Sequence, residues 1–229
     1  MIVRSSNPAF VRRTLLGAGS AAAMLAALAF AACSKSGSSS KNQLLAKDSV
    51  ILCLGDSLTF GYALAAPAQS YPSQLEALTG HVTKNAGLNG DTTEGALSRL
   101  PDLFENNKPG LVLVSIGGND FLRGVPLQRT KAALVQIVRT AQAANTPVVL
   151  VAQPRPAAIA AALGSLEDHP VYAEVSTETG ASLFAGAWSK VLSNADWRSD
   201  PIHANNEGYR VFAQDLADWL RAQQWIAKA

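Results

Sequence analysis

The sequence predicts an α/β domain: a doubly wound parallel sheet of about five strands, sandwiched between two helical layers. Three observations carry that expectation. Short aliphatic runs closed by Gly or Pro recur from residue 50 onward, longer amphipathic patterns separate them, and no internal repeat interrupts the alternation. A strand buried on both faces reads as an unbroken apolar run, and strand–helix alternation is what parallel crossover connections require.

The strands follow in order. Val50-Ile51-Leu52-Cys53-Leu54 is the first, and a weaker one is expected over residues 81–85. Leu111-Val112-Leu113-Val114-Ser115-Ile116 and Val148-Val149-Leu150-Val151-Ala152 are the strongest runs, and a short strand closes the series at 182–184. A helix over 70–78 carries Pro72 in its first turn and Tyr71, Leu75 and Leu78 on one face. The next, over 93–106, turns Leu97, Leu100 and Phe104 inward, with a kink expected at Pro101. A third, over 127–144, faces the sheet with Leu134, Ile137, Val138 and Ala141. The last, over 206–225, places Phe212, Leu216, Trp219 and Leu220 at helical spacing. Between 155 and 180 the pattern gives an Ala-rich helix, a break at Glu167-Asp168-His169-Pro170, and another helix. Trp188, Trp197 and Trp225 read as packing residues, and His81, His169, Glu94 and Arg99 as solvent-facing ones.

Composition narrows the function classes. The 229 residues hold 48% hydrophobic and 16% charged side chains, which excludes a disordered chain. Nineteen Lys+Arg against 17 Asp+Glu leave no basic face for nucleic acid. Even the net charge of +2 depends on Arg4, Arg12 and Arg13; without the first 32 residues it is −1. Those arginines precede an uncharged Ala- and Leu-rich stretch over 14–33, the pattern of an export signal, and a retained membrane helix is the rival reading. Phe30-Ala31-Ala32-Cys33 resembles a bacterial lipobox, which would leave Cys33 as a lipidated N-terminus. Ordinary cleavage after Ala29-Phe30-Ala31 is the alternative, and Arg12-Arg13 before Thr14-Leu15-Leu16 resembles a twin-arginine signal. The expected organisation is a signal over 1–32, a Ser/Lys-rich tether over 33–48 and the domain over 49–229. Cys53 is the only other cysteine and reads as a buried thiol, so no disulfide framework or metal-type cysteine spacing exists.

Ligands of open parallel sheets bind beyond the C-terminal strand ends. There stand Gly55-Asp56-Ser57-Leu58-Thr59-Phe60-Gly61, Asn85-Ala86-Gly87-Leu88-Asn89-Gly90-Asp91-Thr92 and Gly117-Gly118-Asn119-Asp120, with Asp200-Pro201-Ile202-His203 before the last helix. In type, order and spacing these four blocks resemble the SGNH (GDSL) hydrolases, most closely the bacterial acyl-CoA thioesterase I, lysophospholipase and arylesterase group. The resemblance runs from Val50 to the C-terminus. It implies a flavodoxin-like three-layer fold and a serine hydrolase acting on small-molecule or lipid esters and thioesters. No cofactor and no metal are expected; a monomer is, with membrane attachment only through lipid on Cys33.

Ser57 is then the nucleophile, His203 the base that takes its proton, and Asp200 the carboxylate that fixes the imidazole tautomer. The resemblance assigns the oxyanion donors to the Ser57 N–H, the Gly90 N–H and the Asn119 amide, with Gly87 the competing glycine. A loop after Asn119, with Phe121, Leu122 and Val125, would line the acyl groove. Asp56 and Asp120 are expected only to order their turns. Three rivals stand beside this reading. A metal-dependent phosphoesterase would need more than the three histidines present. A deacetylase of envelope carbohydrate esters would share the machinery, whereas a non-catalytic binding protein on the same fold would not need it.

Overall fold

The computed structural model describes residues 44–156 and 164–228. Residues 1–43 lie outside them, and with them the expectations for the export signal, Cys33 and most of the tether. Most of the Ala-rich helix expected after Arg155 also lies outside.

Five strands form one parallel sheet: β1 (Ile51–Gly55), β2 (Thr83–Gly87), β3 (Leu111–Ser115), β4 (Val148–Val151) and β5 (Ser182–Phe184). Their order is β2-β1-β3-β4-β5, so the winding reverses between β1 and β3. Gly55 is level with Gly87 on one side and with Ser115 on the other. Three C-terminal strand ends therefore share one rim at the reversal, where a crevice opens.

Eight helices are described: α1 (Ser57–Phe60), α2 (Tyr71–Thr79), α3 (Thr93–Asn107), α4 (Gly118–Leu122), α5 (Leu127–Ala143), α6 (Val171–Thr179), α7 (Ala187–Ser193) and α8 (Asn206–Ala222). Alternation along each strand divides the core in two. Ile51, Cys53, Leu111, Leu113, Val149 and Val151 face α2, α7 and α8. Leu52, Leu54, Val112, Val114 and Leu150 face α3, α5 and α6. On the first face Trp188 stacks on Phe212 at 3.7 Å between ring centroids, and its Nε1 donates to Ser115 Oγ at 3.1 Å. Cys53 is fully buried, and burial pushes its thiol up to about 12.

Several elements depart from the sequence expectation. β2 starts two residues late because Thr83 is the partner of Ile51; His81 precedes it and is buried, not solvent-facing. α3 runs through Pro101 without interruption. α8 ends at Ala222, after which Trp225 and Ile226 fold back into the core. The folded domain also reaches back into the expected tether, since Leu45 N donates to Trp225 O at 2.8 Å and its side chain packs on the core. The short helices α1, α4 and α7 were not expected.

Candidate active site

The turn that carries Ser57 follows directly from β1. Asp56 caps α1, its Oδ1 accepting from Leu58 N at 3.0 Å, and Gly61 at φ +91° closes the helix after one turn. Ser57 is thereby the first residue of a short helix at the sheet's switch point. Asp56 itself is buried, and burial pushes its carboxyl up to about 6 against the hydrogen bonds from Gln153 and Leu58 N and the nearby His203.

The loop before α8 presents the partners. An antiparallel bridge between Arg198 and Ala204 pinches its base. Asn205 caps α8 by accepting from Glu207 N and Gly208 N. Asp200 Oδ1 accepts from Ile202 N and His203 N, both at 2.8 Å, which leaves Oδ2 for His203 Nδ1 at 2.7 Å. His203 Nε2 then lies 3.0 Å from Ser57 Oγ. Partial burial raises the Asp200 carboxyl, but the bonds from His203 and Ile202 N outweigh it, so its pKa lies below the usual range. Tyr62 covers the imidazole with ring centroids 4.3 Å apart.

Ser57, Gly90, Asn119 and His203 line one cavity of about 510 Å³. Gly90, at φ +75°, occupies the turn after β2. Gly87 is not among the lining residues. A Cβ there would stand 2.1 Å from Phe60 N, so the missing side chain lets β2 lie against the turn that carries Ser57. Leu58, Leu122, Leu166, Leu192 and Ile202 supply apolar wall, and Arg155 adds a cation. Phe121 and Val125 are not among the lining residues. The Phe121 ring is held in a stack on His169, centroids 4.2 Å apart, and edge-on to Tyr172, while Val125 N is tied back to Asp120 O. His169 is therefore part of an aromatic cluster rather than a free surface residue.

Two polar residues do more than the sequence suggested. Asp120 is buried and reaches across to α3, accepting from Thr93 N at 2.9 Å and Thr93 Oγ1 at 2.6 Å. Arg99, read as solvent-facing, donates to Asp91 Oδ2 at 2.9 Å and to Gly55 O at 3.1 Å. It braces the Gly90 turn against the end of β1. Glu94 does face solvent, paired with Arg129. Sequence reasoning missed Tyr62 and Gln153. Gln153 carried a signal, being a lone amide immediately after an apolar strand run, at the end of the sheet where function gathers.

The model of the GDSL-like lipase/acylhydrolase family matches residues 53–211. The chain belongs to that family. Thioesterase 1/protease 1/lysophospholipase L1 of Escherichia coli K12 is 33% identical over 176 residues, which cover 76% of this chain and 82% of that protein. An arylesterase of Vibrio mimicus is 28% identical, over 74% and 87% of the two chains. Among solved structures, the psychrotrophic esterase EstA from Pseudoalteromonas, inhibited by monoethylphosphonate, superposes with a TM-score of 0.66 at 26% identity, over 76% and 98%. The sheet order and three layers described above are thus those of a GDSL-family hydrolase. Among the described residues no helix is long and apolar enough to cross a membrane.

Proposed function

We propose that this GDSL-family hydrolase is a serine esterase cleaving carboxylic esters and thioesters through an acyl-enzyme. One observation carries the reading: the continuous chain from Ser57 Oγ through His203 to Asp200, with contacts of 3.0 and 2.7 Å. Ser57 Oγ attacks the acyl carbon while His203 Nε2 takes the hydroxyl proton, and Asp200 stabilises the resulting imidazolium. The tetrahedral oxyanion is received by the N–H groups of Ser57 and Gly90 and by the Asn119 amide. One missing donor of this kind typically costs about 10²–10³ in rate. Collapse expels the alcohol or thiol, which leaves with the proton from His203. Water then repeats the sequence on the acyl-enzyme and releases the acid.

Relatives named as an arylesterase and as a thioesterase and lysophospholipase, together with the apolar walls of Leu58, Leu122, Leu166, Leu192 and Ile202, favour aryl esters, acyl thioesters and lysophospholipids as substrates. Covalent labelling by a fluorophosphonate tests the chemistry. Parent protein should gain the phosphonyl mass on Ser57, and Ser57→Ala should lose both labelling and hydrolysis of a short-chain aryl ester while melting at an unchanged temperature. Undiminished turnover by Ser57→Ala would overturn the assignment. We further propose export, with the 1–32 segment removed and Cys33 lipidated; the intact mass of protein from the membrane fraction, with or without an added acylglyceryl group, decides it.

A further inference from the structure

Gln153 stands two residues past β4 and is 1% exposed, yet both ends of its amide are in use. Its Oε1 accepts from Gly118 N at 2.6 Å, the residue before Asn119. Its Nε2 donates to Asp56 Oδ2 at 3.0 Å, the residue before Ser57, and to Ser115 Oγ at 3.4 Å. The amide orientation is dictated by these partners, because Gly118 N–H only donates and a carboxylate only accepts. The packing is close: a Cβ on Gly118 would stand 2.5 Å from Gln153 Oε1 and 3.6 Å from Asp56 Oδ2. Ser115 Oγ continues the chain to Trp188 Nε1 at 3.1 Å and so anchors it in the core.

We infer that Gln153 is a positioning residue for hydrolysis: its amide holds the Gly118–Asn119 turn at a set distance from Ser57, so the oxyanion donor is in place before negative charge develops. The inference rests on the proposed roles of Ser57 and Asn119. Its physical basis is that oxyanion donors act through preorganisation, and a donor that must move into place loses much of its effect. Arg99, donating to Asp91 and to Gly55 O, and Asp120, accepting from Thr93 N, tie the neighbouring turns to one another. Gln153 is the link that joins the turns of nucleophile and Asn119 directly.

The test uses Gln153→Leu, which keeps bulk and removes both bonds, and Gly118→Ala, whose methyl pushes the same amide away from the other side. Each is measured for kcat and KM on a soluble aryl ester, for inhibition by an alkylboronic acid, and for thermal midpoint. A boronic acid forms a tetrahedral adduct on the serine and places an oxygen where the oxyanion forms, so it reads donor placement without turnover. Both variants should lower kcat about 10–100-fold with KM changed less than about threefold. The boronic acid Ki should rise in step with the loss in kcat/KM. In an Asn119→Ala background, where the donor is already gone, Gln153→Leu should cost less than about threefold. A kcat within threefold of parent in a folded variant overturns the inference, as does a loss confined to KM or an undiminished loss in the Asn119→Ala background. If Gln153→Leu does not fold, Gly118→Ala decides by the same criteria. Ser57→Ala runs alongside: activity surviving there sinks the underlying reading, whereas an inactive Ser57→Ala beside a near-parental Gln153→Leu sinks only the role of Gln153.

Discussion

Replacing Asp200 by Asn changes one proton and almost nothing else. Asp200 Oδ1 accepts from Ile202 N and His203 N at 2.8 Å each, and the Asn carbonyl keeps both bonds. The opposite amide flip is unfavourable, since it would set two N–H donors of the side chain against two of the backbone. The Asn Nδ2 therefore occupies the position 2.7 Å from His203 Nδ1, where the carboxylate Oδ2 stood. Facing a donor, Nδ1 becomes the bare nitrogen and Nε2 carries the hydrogen. That hydrogen points at Ser57 Oγ, 3.0 Å away, and the ring no longer accepts the serine proton. In serine hydrolases with this arrangement the wrong tautomer costs about 10⁴ in kcat, or about 5 kcal/mol on the barrier. Steady-state hydrolysis of an aryl ester measures the loss, and a thermal melt shows that the loop survives. Asp200→Ala forfeits the two backbone bonds as well, so it should melt lower than Asp200→Asn while being no more active. Asp200→Asn retaining more than a tenth of parental kcat would refute the tautomer argument.

Four further outcomes follow from the same geometry. Asp56 has its carboxyl raised by burial from 3.8 to about 6, so the folded state binds a proton more tightly than the unfolded one. Its contribution to stability is complete below about pH 4 and is lost as pH rises to about 6, by on the order of 3 kcal/mol, opposite in sign to Asp200. The urea stability of the parent relative to Asp56→Asn should fall across that range; parallel slopes in the two proteins would refute the assignment. Arg99→Leu strands the buried Asp91 and frees the Gly90 turn from β1. It should cost about 1–3 kcal/mol of stability in denaturant titrations and lower kcat more than it raises KM. Leu122→Trp should shift hydrolysis of an aryl-ester series toward shorter acyl chains, because Leu122 lines the cavity. Phe121→Ala, which removes the stack on His169 and lies outside the cavity lining, should leave the chain-length preference in place while lowering the thermal midpoint.

What the sequence made legible depended on whether a signal was local. β5 matched its expected span and β3 and β4 differ from theirs only at their ends, because an apolar run is read within a few neighbouring residues. The pair Asp200 and His203 was legible for the same reason: three residues of loop suffice to fold a carboxylate onto the next imidazole. Ser57 needed more, since 146 residues separate it from His203 and only the strand-end rule places both on one rim. The short helices escaped notice because a single turn such as α1 has no period to detect and is held by a cap and a left-handed glycine. Asp120, Arg99 and Gln153 were misjudged or missed because their partners lie 27, 44 and 97 residues away, on Thr93, Gly55 and Asp56. No window along the chain contains such a bond, and a polar side chain looks solvent-facing until its partner is in place. The acyl-groove expectation failed to bring Phe121 to the cavity by the same logic: which way a ring turns after a loop is decided by the neighbour it meets, here His169. In this fold the groups proposed to react are written in short motifs, and the hydrogen bonds that join those motifs come from buried and half-buried polar residues whose partners meet them only when the sheet is closed.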